Sequence, residues 1–471
     1  MTTTESYQTG SFVHIPFEEL AHELTGSLLT PDQPAYAETV SPWNLAVPMQ
    51  PAAVVRARTA EDVAATIRFA RRHGCSVGVQ ATGHGAESAF AGHILVATKD
   101  LDEVQVHREG SAGWARVGAG VKWLRVIEQA APLGLAPLNG STSDVGVVGY
   151  TTGGGVGPLA RTHGLAADKV RAFDVVTGDG VIRRVTPTEH PDLFFALRGG
   201  KGASAIVTAV EFDLVHLPEF YGGAIYFDGS EAATVIARWR AWSEKLPEQG
   251  TTSFALFQLP EMPGVPPQLA NRMSLGVRFL WTADPEEGRR LLDQVRAAGT
   301  VILDDAFLRP YTEVDHVHAD PVDPMPVVEA AILLDDFPDE AARRLLEVAG
   351  PDAGSPQFLV ELRQLGGAYA REGAHPTAFC HRDAGYSLLA VGLPETGALE
   401  HAHRTFATLA DWDTGGIWPN FGPAHDALTA HRAYDAATLA RLTAVVEKYD
   451  PDGVLAIGDF TRMVSSAEDA A

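Results

Sequence analysis

Cysteine is almost absent from this chain. Cys75 and Cys380 are the only two in 471 residues and stand far apart, which excludes a disulfide framework and a four-cysteine zinc site, and no metal site is expected. Uninterrupted apolar runs of membrane-spanning length are also missing, so no membrane helix is expected. The opening MTTTESYQTGSFVHIPFEEL has neither a basic leader nor an apolar core segment, so no export is expected and a reducing cytoplasm is the expected compartment. Positive charge is scarce: 36 Lys and Arg against 60 Asp and Glu leave a net charge of -24. Such a surface repels nucleic acid and anionic membranes and leaves small molecules as the expected partners, with a monomer or homodimer as the expected state. There is no solenoid period or low-complexity tract, and the tail after Met463 reads as frayed. The length exceeds what one core usually supports, so two domains are expected. Abundant Arg, Ala, Gly and Pro suggest a GC-rich bacterial source.

What the chain has in excess is glycine, concentrated in GSTSDVGVVGYTTGGGVGPLARTHGLAADKV, from Gly140 to Val170. No helix or strand interior tolerates that density. Glycine admits positive φ and close approach, so Gly153, Gly154, Gly155 and Gly157 describe a backbone against which a flat or anionic partner can lie. A tight turn between strands is the plainer reading. A second unusual turn, Gly83-His84-Gly85, places one histidine between two glycines.

Local signals set these turns in an α+β pattern. Thr59 is a candidate N-cap for a helix over 61–73 that stops at Gly74, followed by a strand over 76–80 that leads into the His84 turn. Strands are expected at 94–98, 103–107 and 114–117, then a helix over 121–131. Gly178-Asp179-Gly180 predicts a hairpin between strands 173–177 and 181–185. A short helix at 192–197 precedes a long strand over 205–214. Farther on, strands at 254–258, 274–281 and 358–363 alternate with helices at 232–244, 285–298 and 339–347, which reads as an antiparallel sheet backed by helices. A last helix is expected at 436–449.

Four blocks in order carry a resemblance over nearly the whole chain. They are the Gly83-His84 turn with the glycine-rich stretch, DLFFALRGGKGASAIVTAVEFDL, VELRQLGGAYAREGAHPTAFCHRD, and GGIWPNF with KYDPDG. Together they resemble the berberine-bridge-enzyme-like branch of the FAD-linked oxidases, within the vanillyl-alcohol-oxidase superfamily. The resemblance implies a PCMH-type FAD-binding domain of two subdomains over 1–215, a substrate domain over 216–410, and a C-terminal segment over 411–471 that returns to the first domain. It implies FAD as the cofactor, with His84 joined to the flavin 8α-methyl; a neutral imidazole between glycines is a suitable nucleophile. The flanking Gln80, Ala81 and Thr82 depart from the basic residue and glycine that the family usually carries. A second link from cysteine, common in the family, falls on Thr142, and a hydroxyl cannot replace a thiolate, so one tether is expected. Val145 falls where a small branched residue accompanies reaction with O2.

FAD contacts are expected from Gln80, Ala81, Thr82, Gly83, His84 and Gly85, and from Thr142, Ser143, Val145, Gly146 and Gly149. Gly153, Gly154, Gly155, Gly157, Ile206, Val207 and Asn420 complete that set. With no lysine or P-loop evident for the pyrophosphate, backbone amides of 81–85 and 142–146 are the expected donors. The family's proton-accepting tyrosine is replaced in Trp418-Pro419-Asn420-Phe421, since tryptophan has no acid-base chemistry near neutral pH. Glu361 is the preferred substitute, because strand alternation puts it on one face with Arg363, opposite Val360 and Leu362. Burial would raise its pKa and Arg363 would oppose that shift. Tyr150, Asn420 and Arg363 are further catalytic candidates, and Tyr369, His381 and Arg382 secondary ones.

Eight aromatics, Tyr221, Tyr226, Phe254, Phe257, Phe279, Trp281, Phe307 and Tyr311, mark the middle domain. Mostly core residues, they favour an apolar or aromatic substrate if several line a pocket. The expected activity is an oxidase of bacterial secondary metabolism acting on an aromatic or polyketide-like molecule, with Glu361 assisting proton removal. The alternatives are a carbohydrate or alcohol oxidase, a flavin-dependent oxygenase acting on a polyketide, and a non-catalytic protein that sequesters a toxic metabolite.

Overall fold

The computed structural model describes residues 15–86, 90–421 and 427–456. The tail after Met463 lies outside them, as does the start of the chain. Three sheets organise the rest. The first runs Ser27–Leu29, Ala53–Arg56, Ile94–Ala97, Val77–Gln80, and its last three strands are parallel. The helix Ala60–His73 makes the crossover between Ala53–Arg56 and Val77–Gln80. Thr59 and Asp62 close a capping box at its start, Gly74 ends it at φ 64°, and its apolar stripe of Val63, Ile67 and Ala70 is fully buried. Gly74 tolerates that left-handed φ where another residue would be strained.

The second sheet is antiparallel: Val104–Glu109, Ala112–Gly118, Ala205–His216, Val170–Thr177, Ile182–Val185, with the short Leu135–Ala136 added alongside Ala205–His216. The hairpin expected around Gly178-Asp179-Gly180 joins two of these strands. After His216 the chain passes directly into Glu219–Asp228, a strand of the third sheet. That sheet has eight antiparallel strands, with Gln357–Gln364 between Gly250–Leu259 and Tyr386–Gly392, and Val328–Leu334 beyond. Helices Ala232–Ser243, Pro285–Arg296, Asp339–Ala349 and Ala398–Ala407 contribute to the core of this unit. The α+β class and the helix-backed antiparallel sheet are therefore as expected.

Strands such as Glu219–Asp228 and Tyr386–Gly392 carry no period-two signal, because they are buried along most of their length on both faces. The C-terminal DPDG closes the molecule locally. Asp450, itself buried, accepts the amides of Val454 and Leu455 at 2.9 and 3.0 Å, and Leu455 bridges to Val77 of the first sheet. Among the described residues no helix is long and apolar enough to cross a membrane.

Candidate active site

A cavity of about 710 Å³ lies where the three sheets meet, within the size range of small-molecule sites. One wall is the turn that follows Val77–Gln80. Gly83 sits at φ 75°, and a Cβ there would stand 2.6 Å from Pro42, so only glycine fits. The Trp43 and Asn44 amides donate to the carbonyls of Thr82 and Gly83 at 3.0 and 3.3 Å, pulling those carbonyls toward the protein. Among the described residues, the amides of Thr82, Gly83, His84 and Gly85 have no hydrogen-bond partner. Four consecutive free donors beside a cavity suit an anionic group such as a pyrophosphate.

His84 lines this wall. Its ring stacks on Trp43 at 4.4 Å and 16°, and Nε2 lies 3.4 Å from Asp144 Oδ2, while Lys122 holds the other Asp144 oxygen. Burial pushes the His84 pKa down and outweighs the upward pull of Asp144, so the imidazole is neutral at neutral pH. With Nε2 turned to the carboxylate, Nδ1 keeps the free lone pair.

The second wall comes from Gly140 to Thr152. Thr142, Val145, Gly146 and Gly149 all face the cavity. Gly149, on the helix Val147–Thr152, has nothing within 4 Å of where its Cβ would stand, so a side chain there would occupy the cavity itself. Ser143 is turned away: its amide donates to Asp315 at 2.9 Å. The Asp144 amide donates to Thr142 Oγ1 at 3.2 Å. The 142–146 segment therefore offers fewer free donors than expected, and the 81–85 turn carries that role.

Several expected contacts are corrected. Gly153, Gly154, Gly155 and Gly157 do not line the cavity. Added Cβ atoms there would strike Asn420 at 2.1 Å, Phe379 at 2.3 Å, Ala166 at 2.6 Å and the Asn139 carbonyl at 1.9 Å, so these glycines serve packing within the protein. Ile206 is buried in the core between the first sheet and its helix, while its neighbour Val207 does reach the cavity. Tyr150 borders the cavity, but its hydroxyl donates to the Asn139 carbonyl at 3.1 Å, and burial drives its pKa far up; it is a wall, not an acid or base. Tyr369 donates to the His381 carbonyl and accepts from Trp418 Nε1 at 3.1 Å, and Arg382 pairs with Asp168 at 2.7 Å. None of Tyr369, His381, Arg382 or Trp418 lines the large cavity.

The third wall is one face of the large sheet. Leu359, Glu361 and Arg363 alternate along Gln357–Gln364, in register with Val391, Leu389 and Ser387, and Leu359, Glu361, Arg363, Leu389 and Val391 line the cavity. Val360 and Leu362 face the opposite core, as the alternation requires. Glu361 is 1% exposed; Ser253 Oγ at 2.7 Å and Arg363 Nε at 2.8 Å donate to it, Arg278 Nη1 pairs with it at 2.6 Å, and His318 Nε2 lies at 3.5 Å. Burial alone would raise its pKa, but Arg278 and Arg363 reverse that and hold the carboxyl well below the usual range. A carboxylate so stabilised is a weak base, which removes the proton-accepting role expected of Glu361.

Trp43, Lys201 and Asp320 are among the cavity residues that were not legible as such. Trp43 comes from a loop with no motif. Lys201 adopts φ 59°, which is costly without glycine. It donates to Asn420 Oδ1 at 3.0 Å, so the cavity holds a lysine after all; Asn420 Nδ2 donates in turn to the Tyr150 carbonyl at 2.9 Å. None of the eight middle-domain aromatics lines the cavity; seven are core and Phe307 is exposed. Apolar surface comes instead from Val145, Phe358, Leu359, Leu389, Val391 and Phe421.

A donor-lined turn, a neutral histidine and a sheet face carrying both apolar and charged side chains together suit a flavin. Residues 51–186 match the family described as FAD binding domain, so that segment belongs to it and FAD is the cofactor. The solved 6-hydroxy-D-nicotine oxidase of Arthrobacter nicotinovorans superposes with a TM-score of 0.80 at 24% identity, covering 92% of this chain and 97% of that one. A berberine-bridge-enzyme-like protein of Physcomitrella patens does so at 0.79 and 17% identity, covering 93% and 97%. These likenesses establish the shared fold. In sequence, (R)-6-hydroxynicotine oxidase of Paenarthrobacter nicotinovorans is 27% identical over 63% of this chain and 64% of its own length. An FAD-dependent monooxygenase of Fusarium proliferatum is 38% identical over 37% of this chain and 34% of its own. The chain thus spans between a third and two thirds of the length of these two curated relatives.

Proposed function

We propose that this protein is an FAD-dependent oxidoreductase of the oxidase type, acting in bacterial secondary metabolism on a small, largely apolar substrate, with O2 as terminal acceptor. The carrying observation is the cavity itself, in which free amides and His84 lie across from a sheet face of Leu359, Leu389 and Val391 with Glu361 and Arg363. Bound there, FAD supplies the hydride acceptor. The amides of 82–85 and the Lys201 ammonium hold its anionic part, and Asn420 braces Lys201 against the helix bearing Gly149. Leu359, Leu389, Val391 and Phe421 receive the substrate and exclude water.

His84 is the proposed site of a single covalent link. Its Nδ1 lone pair is available, and Asp144 orients the ring through Nε2. The solved glucooligosaccharide oxidase of Acremonium strictum is described with a 6-S-cysteinyl, 8α-N1-histidyl FAD; here the cavity holds Thr142 and neither cysteine, which supports one tether. After acid precipitation, yellow colour should stay with the wild-type protein and leave with the supernatant in His84→Ala. Release from the wild type would overturn the link, and a protein that binds no FAD would overturn the function. The monooxygenase match favours an oxygenating variant as a second reading, and incorporation of labelled dioxygen into product, rather than peroxide release, would select it.

A further inference from the structure

Among the described residues, only one of the three nitrogens of Arg363 finds a partner. Nε donates to Glu361 Oε2 at 2.8 Å; among the described residues, Nη1 and Nη2 have no hydrogen-bond or ion-pair partner. The side chain is 12% exposed and lines the cavity. It is also rigidly held. Its strand is paired on both edges, with Ser253 and Ser387, and its guanidinium lies 5.4 Å from the Phe421 ring centroid.

Among the described residues, no carboxylate other than Glu361 pairs with Arg363. Arg278 and Arg363 share Glu361, and Asp320 lies 3.7 Å from Arg278. The third carboxylate of the cavity, Glu329, pairs with Val391 and so lies in the row of Leu359. That is four residues along the strand from Arg363, about 13 Å. A mostly buried guanidinium with four N–H bonds directed at a cavity is completed by an anion.

Building on the proposed function, we propose that Arg363 receives an anionic oxygen group of the substrate, a carboxylate, phenolate or enolate carried on an apolar body. The body lies over Leu359, Leu389, Val391 and Phe421. Glu361 is then a positioning residue that fixes the plane of the guanidinium. For a phenol or enol, the fixed cation also favours loss of the O–H proton to solvent water before oxidation, a task that Glu361 is too weak a base to perform.

The test uses FAD-loaded protein and three ligands of similar shape, 2-naphthoate, 2-naphthamide and 2-naphthylmethylammonium, with binding read from the change in the flavin absorbance spectrum. Naphthoate should bind about 10- to 100-fold more tightly than naphthamide. Arg363→Gln should erase that preference and Arg363→Lys should keep part of it, because the charge remains and the fork is lost. If the glutamine variant fails to retain FAD, the lysine variant decides. Equal affinity for acid and amide, binding of neither, preference for the ammonium ligand, or a preference that survives Arg363→Gln overturns the assignment. Each of those results is obtained with FAD in place, whereas absence of FAD from the wild-type protein would defeat the function itself.

Discussion

Replacing Glu361 by glutamine separates a positioning carboxylate from a catalytic base. Glu361 and Arg278 are 1% and 2% exposed and lie 2.6 Å apart. Removing one partner of a buried pair costs about 3–5 kcal/mol. Arg278 keeps the His318 carbonyl at 2.9 Å and Asp320 at 3.7 Å, which places the expected loss at about 3 kcal/mol, the low end of that range. Spread over a cooperative unit of about 200 residues, that is a fall in Tm of about 7 °C, or about 3 °C if the whole chain unfolds together. Urea unfolding at pH 7 measures the free energy and a thermal scan the shift. A base would behave differently. Its removal would cut turnover by about 100- to 10,000-fold at unchanged stability, and the wild-type kcat/KM profile would show an acidic limb from its ionisation. Because the carboxyl is held well below its usual range, no such limb from Glu361 is expected above about pH 4.5. A Glu361→Gln protein with wild-type Tm and turnover reduced a thousandfold would refute this reasoning.

Other consequences are as direct. Burial lowers the His163 pKa to about 4, so as pH falls below about 6.5 the unfolded chain takes a proton that the folded one refuses, and stability declines until about pH 4. Allowing for partial exposure, that decline should be about 1–2 kcal/mol smaller in His163→Gln, read from urea midpoints at pH 7 and pH 4.5. Lys201→Gly relieves a left-handed φ of 59° but adds chain entropy, so stability should move by less than about 1 kcal/mol. In a His84→Ala background, where FAD can exchange, the same change should weaken FAD binding about tenfold by removing a charged donor. Val145→Leu narrows the cavity beside Thr142, and should slow reoxidation by O2 in stopped-flow more than it slows reduction.

Local order was legible wherever one residue type does one job. The capping box at Thr59, the stop at Gly74, the hairpin at Gly178-Asp179-Gly180 and the alternation that sets Glu361 and Arg363 on one face are all short-range. Strands such as Glu219–Asp228 were not legible, because burial on both faces erases the alternation that identifies a strand. The glycine run was legible as a place of close approach but not of approach to what. Asn420 and Phe379, which occupy the space that side chains at Gly153 and Gly154 would need, come from distant parts of the chain.

By itself, the sequence determined an acidic, cysteine-poor α+β chain and the histidine turn between two glycines. The tertiary structure alone decided what the charged residues do. Glu361 became an ionised anchor because Arg278, Ser253 and His318 converge on it from other segments. Lys201 reached the cavity through a left-handed turn, and among the described residues Arg363 kept two nitrogens without a partner. Side-chain type is written in the chain one position at a time, but pKa and availability depend on neighbours that only folding supplies.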